Sequence, residues 1–441
     1  MIGFLGRMFF GEKKYKNHKE AVVITCYYNP KNSQARLDAF NKFYDTIKHL
    51  NHRIIECIIE DENGAGKSQL PKSPYITQLR TNSNLWHKEQ LLNKIVRDLP
   101  WEYKYVLWVD ADVLFTNKNW VVDAVEELQV YQLVQLFEYS IHLEKGETEP
   151  SFDVAKAKKR VNERYDGRRL WRSYAANWES RSNNIDSPHY DVRGHVGLAW
   201  AARRASLQRY PLYERTLIGG ADGIIAYGGT GQLSTVTAMK DMFQDSWDDV
   251  TKWASGWYRE IGGRVGYVSG DLYHIWHGDL KDRQYYSRIK EFGPHMKGIQ
   301  QKDDNGLYTP VDPKAKQYMD GYFDKREGVK TAPPKPSPAS FVSKSSYGSS
   351  RYGSSTHNIN HRDDFYDNSD DGLAKSVLLG YATNDGVTGG LLGGNLLGGM
   401  VGDALNTSDD KPSETGHHHN ANCHHDNSTT QPSDNATDNY S

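Results

Sequence analysis

The chain has little cysteine, no long apolar run and almost no net charge. Its 441 residues contain only Cys26, Cys57 and Cys423. An odd number, with two of them in apolar strand-like segments, argues against a disulfide framework and for a reducing, cytoplasmic compartment. No apolar stretch reaches the ~20 residues that a membrane-spanning helix needs. Residues 1–10 include Arg7 and no cleavage pattern, so neither a span nor a leader is expected. With a formal charge of −2, the chain lacks the basic balance of a general nucleic-acid binder.

What is present is concentrated in residues 105–115, Tyr-Val-Leu-Trp-Val-Asp-Ala-Asp-Val-Leu-Phe. The apolar half predicts a buried strand, and Asp110 and Asp112 stand where it should end. Ligands of open α/β sheets bind at the carboxyl ends of the strands. A buried carboxylate needs a cation, a donor or water, and a divalent metal satisfies two at once. Hard oxygen ligands one residue apart suit Mg2+ or Mn2+.

Residues 21–26 (AVVITC) predict a first strand, 33–50 a helix, and 53–60 (RIIECIIE) a second strand, a βαβ rhythm. Residues 85–99 read as an amphipathic helix stopped by Pro100, directly ahead of the Asp-bearing strand. Gly66-Lys67-Ser68 suggests a phosphate loop. However, Asp61 occupies the position of the first glycine, and Pro71 and Pro74 block the following helix, so a polar surface loop is expected.

Residues 144–190 form a basic insertion with Lys156, Lys158, Lys159, Arg160, Arg164, Arg168, Arg169 and Arg172, read as a solvated face or as a surface for an anionic acceptor. Trp171 and Trp178 in it are candidates for stacking on a ring. Residues 196–202 predict a strand, Gly219-Gly220-Ala221-Asp222-Gly223 an acidic element boundary, and Trp247, Trp253 and Trp257 a packed aromatic face. Residues 264–278 close the fold with a His-bearing strand. A helix is expected at 280–292, capped by Asp279 and stopped by Gly293-Pro294.

Beyond Thr331 the composition turns to Pro, Ser, Gly, Asn, Asp and His, which cannot bury enough apolar surface to fold. One domain over residues 1–325 and a disordered tail over 326–441 are therefore expected. The repeat at 389–399 (GGLLGGNLLGG) is read as a linker or a self-association element. No role is assigned to His417, His418, His419, Cys423, His424 and His425.

Leu85-Trp86-His87-Lys88-Glu89, Leu91-Leu92-Asn93, the Asp110-Ala111-Asp112 strand running on to Trp120, and His274-Ile275-Trp276-His277-Gly278 with Arg283 and Arg288 together resemble the GT-A glycosyltransferases. The resemblance is closest to the family-2-like enzymes of phages, large DNA viruses and bacteria, and it covers residues 20–295. It implies an α/β fold with a mixed, Rossmann-like sheet flanked by helices, and transfer of a sugar from a nucleoside-diphosphate donor, expected to be UDP, to an acceptor hydroxyl. It places Asp112 and a closing histidine, His277 or His274, on Mn2+ or Mg2+, with Asp110 on the donor ribose or on the metal through water. A regular strand puts residues three apart on opposite faces, so only one histidine is expected, with His277 preferred. Thr25, Tyr27, Glu60, Lys88, Arg283 and Arg288 are expected on the donor, and Asp222 as the base, although Ala221 replaces the commoner acidic neighbour. If the chain is viral, the host cytoplasm is its expected location. The acceptor stays open among glycan, protein, lipid and modified DNA.

Two other readings share these residues. A nucleotidylyltransferase needs a glycine-rich basic loop after the first strand, and residues 27–36 are not one. An inactive sugar-binding or structural protein is the non-enzymatic alternative.

Overall fold

The first strand runs to Tyr28, and its near-continuous burial shows a sheet covered on both faces (β1, Ala21–Tyr28). The computed structural model describes residues 14–60, 66–160, 169–182, 184–187, 190–296, 299, 301–310 and 312–326. Residues 1–10, the candidate phosphate-loop positions 61–65, Arg164 and Arg168 of the basic insertion, and residues 327–441 of the expected tail lie outside them. The remaining strands are β2 (His52–Ile59), β3 (Ile76–Thr81), β4 (Tyr105–Val109), β5 (Val113–Phe115), β6 (Leu133–Gln135), β7 (Tyr139–His142), β8 (Leu170–Arg172), β9 (Ala199–Arg203), β10 (Val265–Tyr267) and β11 (Asp271–His274).

Seven strands form one sheet in the order β10-β6-β9-β4-β1-β2-β3, and four form another in the order β5-β11-β7-β8. β1 pairs parallel with β2 and β4, while β9 runs antiparallel to both β4 and β6. A mixed sheet flanked by helices is thus formed, as expected. The helix Gln34–Ile47 buries Ala39, Phe40, Phe43 and Ile47, a helical stripe against one face. The helix Lys88–Asp98 buries Leu91, Leu92, Ile95 and Val96 against the other.

The Asp pair lies where the chain leaves one sheet for the other. β4 ends at Val109, residues 110–112 turn, and β5 enters the small sheet. There β5 pairs antiparallel with β11, setting Val113 opposite His274, and Ile275 N–H donates to the Asp112 carbonyl (2.8 Å). On its other side β11 runs parallel to β7, which places His142 beside His274.

Four expected elements differ, the first being the His-bearing strand expected over 264–278, which is two short strands, β10 in the large sheet and β11 in the small one. β9 starts at Ala199, because Leu198 has a positive φ of 79° and its carbonyl accepts from Asp110 N–H (2.7 Å). A non-glycine residue there costs about 1–3 kcal/mol. The helix expected at 280–292 is broken at Gln284 (φ 45°) into a 3-10 turn, Leu280–Arg283, and a helix, Tyr285–Met296, that runs through Pro294. The expected basic insertion is part of the fold: it supplies β8 and the helix Tyr174–Glu179. Its Lys158 pairs with Asp271 (2.7 Å), and its Arg169 pairs with Glu144 and Glu147.

Candidate functional site

The carboxyl ends of β1 and β4 open into a cavity of about 350 Å³. Thr25, Tyr27, Lys88, Asp110, Asp112, Asp222, His274, His277, Arg283 and Arg288 all line it. Glu60 does not. It sits just beyond β2, N–H bonded to the Thr81 carbonyl, with its carboxylate on Arg80 (3.4 Å). Pairing of β2 with the edge strand β3 draws that side chain away from the cavity.

The two aspartates do not share one cation. Asp110 Oδ1 lies 2.7 Å from Lys88 Nζ, whereas Asp112 Oδ2 lies 2.9 Å from His277 Nε2 and 3.8 Å from His274 Nε2. The turn between β4 and β5 breaks the alternation that would have kept them equivalent. The histidines converge because β11 ends at His274: His277 lies past the strand, where the period of two no longer applies.

Asp112, His274 and His277 offer one oxygen and two nitrogens within 4.8 Å of one another. Ligand atoms about 3 Å apart are what bonds of ~2.1 Å at right angles require. Burial pushes His277 down to about 3 and His274 well below the usual imidazole range, aided at both by Arg283. Burial would raise Asp112, but His274, His277 and Arg283 hold its carboxyl below the usual range. Neutral imidazoles and an ionised carboxylate are the forms a metal binds.

His277 Nε2 also receives Arg283 Nη2 at 2.9 Å. One ring nitrogen cannot accept from a guanidinium and donate to a carboxylate together. A divalent cation seated among the three would resolve this conflict and release Arg283. Asp112 Oδ1 and His277 Nδ1 are buried without hydrogen-bond partners among the described residues, as expected of a site completed by something else. The donor set, with two imidazole nitrogens and one carboxylate, therefore fits a divalent ion such as Mn2+ better than Mg2+, whose shell favours oxygen alone.

Lys88 opens its helix, where a cation opposes the helix dipole. Asp110 and Asp222 compensate, the latter at 3.2 Å. Burial would lower the Lys88 ammonium, but these carboxylates hold it well above its ordinary range. Burial raises Asp110 to about 6 against the pull of Lys88. Lys88, expected on the donor, binds two carboxylates in this structure.

Asp222 projects from the first turn of the helix Ala221–Thr230, whose cap Gly220 has φ 98°. Gly219 has a φ of 96° that disfavours any side chain, and an added Cβ would stand 2.9 Å from Arg288 Nη2 and displace that guanidinium. Arg288 Nη1 donates to the Tyr322 hydroxyl (2.6 Å) and the Arg283 carbonyl (3.2 Å).

Several lining residues had no sequence signal of their own: Arg36, His142, His195 and Arg326. His142 stacks on His274 with ring centroids 4.6 Å apart, and Trp171 lies 4.7 Å from His142. The two tryptophans of the basic stretch separate in role. Trp171 lines the cavity, while Trp178 is buried and donates to the Gly263 carbonyl (2.9 Å). Trp253 and Trp257 stack at 5.5 Å in the packed face expected of them.

No protein-family model and no curated protein sequence matches the chain. Among solved structures, glucosyl-3-phosphoglycerate synthase of Mycobacterium tuberculosis with Mn2+, UDP-glucose and phosphoglyceric acid is 11% identical over 63% of this chain and 78% of that one, TM-score 0.28. Residues 1–349 of TarS from S. aureus, with UDP-GlcNAc, are 14% identical over 70% and 73%, TM-score 0.29. A Drosophila β-1,4-galactosyltransferase 7 with manganese, UDP-Gal and xylobiose is 9% identical over 68% and 98%, TM-score 0.30. Each is similar to this chain in part; the reading of the site rests on its own residues.

Proposed function

We propose that the protein is a metal-dependent glycosyltransferase that moves a sugar from a nucleoside diphosphate, UDP being the expected one, to an acceptor hydroxyl. The observation that carries this reading is the Asp112-His274-His277 cluster, bonded to Arg283 and facing a Lys88-Asp222 pair in the same cavity. A bound divalent ion would offset the negative charge that grows on the departing diphosphate.

Asp112, His274 and His277 would hold that ion. Arg283 and Arg288 donate to diphosphate oxygens, stabilising charge as the anomeric C–O bond breaks. Thr25 and Tyr27, at the end of β1, contact the nucleoside side of the donor. Asp110, fixed by Lys88, orients the donor ribose. Asp222 accepts the proton of the attacking hydroxyl, held in place by the Lys88 ammonium at 3.2 Å.

A screen of nucleotide sugars with Mn2+, reading release of nucleoside diphosphate, tests this function. Release that needs both the metal and Asp112 supports it. Binding of donor without any release would favour an inactive sugar-binding protein.

A further inference from the structure

The basic insertion plays no part in the chemistry proposed above, yet it builds one wall of the cavity. Its strand β8 pairs antiparallel with β7 and sets Trp171 opposite Ser140, while β7 pairs parallel with β11 and sets His142 opposite His274. Residues two apart in a strand share a face, so Trp171, His142 and His274 stand on one face of the small sheet. Two strand spacings of ~4.8 Å put Trp171 about 10 Å from His274, one of the proposed metal ligands. The rings touch in series, His274 on His142 at 4.6 Å and His142 on Trp171 at 4.7 Å. His195 joins them from the chain ahead of β9, 5.6 Å from His142 and 6.2 Å from Trp171. Trp171, His142 and His195 all line the cavity.

The backbone of His195 is pinned. Its N–H donates to the Arg172 carbonyl (2.9 Å), and its carbonyl accepts from Tyr174 N–H (3.0 Å) and from the Gln135 amide (2.8 Å). Its Nδ1 accepts from Gly197 N–H (3.2 Å), which places the ring proton on Nε2. Burial pushes the imidazole down to about 4 against the pull of Asp222, so the ring is neutral and carries one N–H. Among the described residues no acceptor takes that N–H. Gly197 lets the ring meet the proposed base: a Cβ there would stand 3.4 Å from His195 Cε1 and 3.3 Å from Asp222 Oδ2. A donor N–H, an aromatic face and a carboxylate thus border the same space. A pyranose matches all three, with C–H groups on its face and hydroxyls round its rim. A nucleobase stacks but brings no ring hydroxyl to Asp222, and an acyl chain leaves the imidazole N–H unpaired.

We infer that Trp171 and His195 form the acceptor subsite and that the acceptor is a saccharide, its ring lying on Trp171 and one ring hydroxyl held by His195 Nε2–H beside Asp222. This rests on the glycosyltransferase reading above and narrows its acceptor. A neighbouring hydroxyl of the same ring faces Asp222. Its oxygen bonds the anomeric carbon as the bond to the diphosphate breaks, and its proton passes to Asp222. His142 is a positioning residue, its ring packed on Trp171 and on His274.

The test is ligand-observed saturation-transfer NMR on full-length protein with saturating UDP and Mg2+. The methyl β-pyranosides of glucose, galactose, mannose and N-acetylglucosamine are titrated one at a time, with thymidine in parallel. At least one pyranoside is expected to bind without displacing UDP. Exchange of Mg2+ for Mn2+ is expected to broaden its signals, because a ring on Trp171 lies about two strand spacings from the ion. Trp171→Ala and His195→Ala should each weaken the pyranoside about tenfold and Trp171→Phe less than about threefold, with UDP affinity within about twofold throughout. The inference is overturned if no pyranoside binds, if thymidine binds in their place, if the bound pyranoside stays sharp in Mn2+ while UDP broadens, or if the alanine variants bind it as the wild type does. The Mn2+ exchange needs no variant, so it decides even where a substitution unfolds the protein. If UDP does not bind, or stays sharp in Mn2+, the donor reading fails, and loss of pyranoside binding in Trp171→Ala but not in Trp171→Phe then decides the subsite by itself.

Discussion

Lys88 Nζ lies 3.2 Å from Asp222, a residue 134 positions away in sequence, while holding Asp110 at 2.7 Å. This ammonium bridges two carboxylates in one cavity. Lys88→Met leaves them facing each other, and breaking such a buried pair costs about 3–5 kcal/mol, less where water reaches it. Denaturant unfolding should show a loss of that order, and Lys88→Met/Asp222→Asn should recover part of it without recovering turnover. A double variant no more stable than Lys88→Met would show that the pair carries no coupling.

The metal cluster predicts distinct losses. Asp112→Ala should abolish Mn2+-dependent turnover and leave a cooperative thermal transition. His277→Ala and His274→Ala should each raise the Mn2+ needed for half-maximal rate by about ten- to a hundredfold. Turnover of Asp112→Ala at wild-type rate, untouched by EDTA, would remove the metal from the mechanism.

Arg283 separates metal demand from phosphate binding. Arg283→Ala should weaken UDP by about 1.5–3 kcal/mol, the range of charge-assisted hydrogen bonds. The Mn2+ requirement should shift far less than in His277→Ala. Equal shifts in both would mean that Arg283 acts by holding His277 in place.

Glu89 gives a pH signature of stability. Burial raises its folded pKa to about 8, above its unfolded value. Between the two values the folded state holds the proton and the unfolded state does not. Its contribution is therefore full below about pH 4.5 and is lost as pH rises through about 8, at about 1.4 kcal/mol per unit of difference. Glu89→Gln should flatten the decline in stability between pH 5 and 9, and an unchanged slope would assign that decline to other groups.

Glu60 supplies a negative control. Its carboxylate lies on Arg80 outside the cavity, so Glu60→Ala should keep donor affinity within about twofold, the small effect usual for an exposed ion pair. A tenfold loss measured by UDP titration would place it back on the donor.

The strands β1, β2 and β4 and the helices between them were legible because local patterns suffice there: continuous apolar runs for strands covered on both faces, and a helical stripe for Gln34–Ile47. The Asp pair and the closing histidines were legible too, since buried polar groups at strand ends need a partner wherever they occur. The break at Gln284 was not, because no glycine or proline marks it while the helix beyond runs on through Pro294.

Sequence alone singled out residues that the fold gathers together: Asp110, Asp112, Asp222, Lys88, His274, His277, Arg283 and Arg288 all line one cavity. Only the tertiary structure decided who partners whom. Asp110 went to Lys88 and Asp112 to the histidines because the chain changes sheets between them, and the β5–β11 register brings His274 alongside. Glu60 was lost to the site, and Arg36 and Arg326 gained, for the same reason. An ionic pairing is set by distances across the fold, and spacing along the chain fixes such distances only within a single helix or strand.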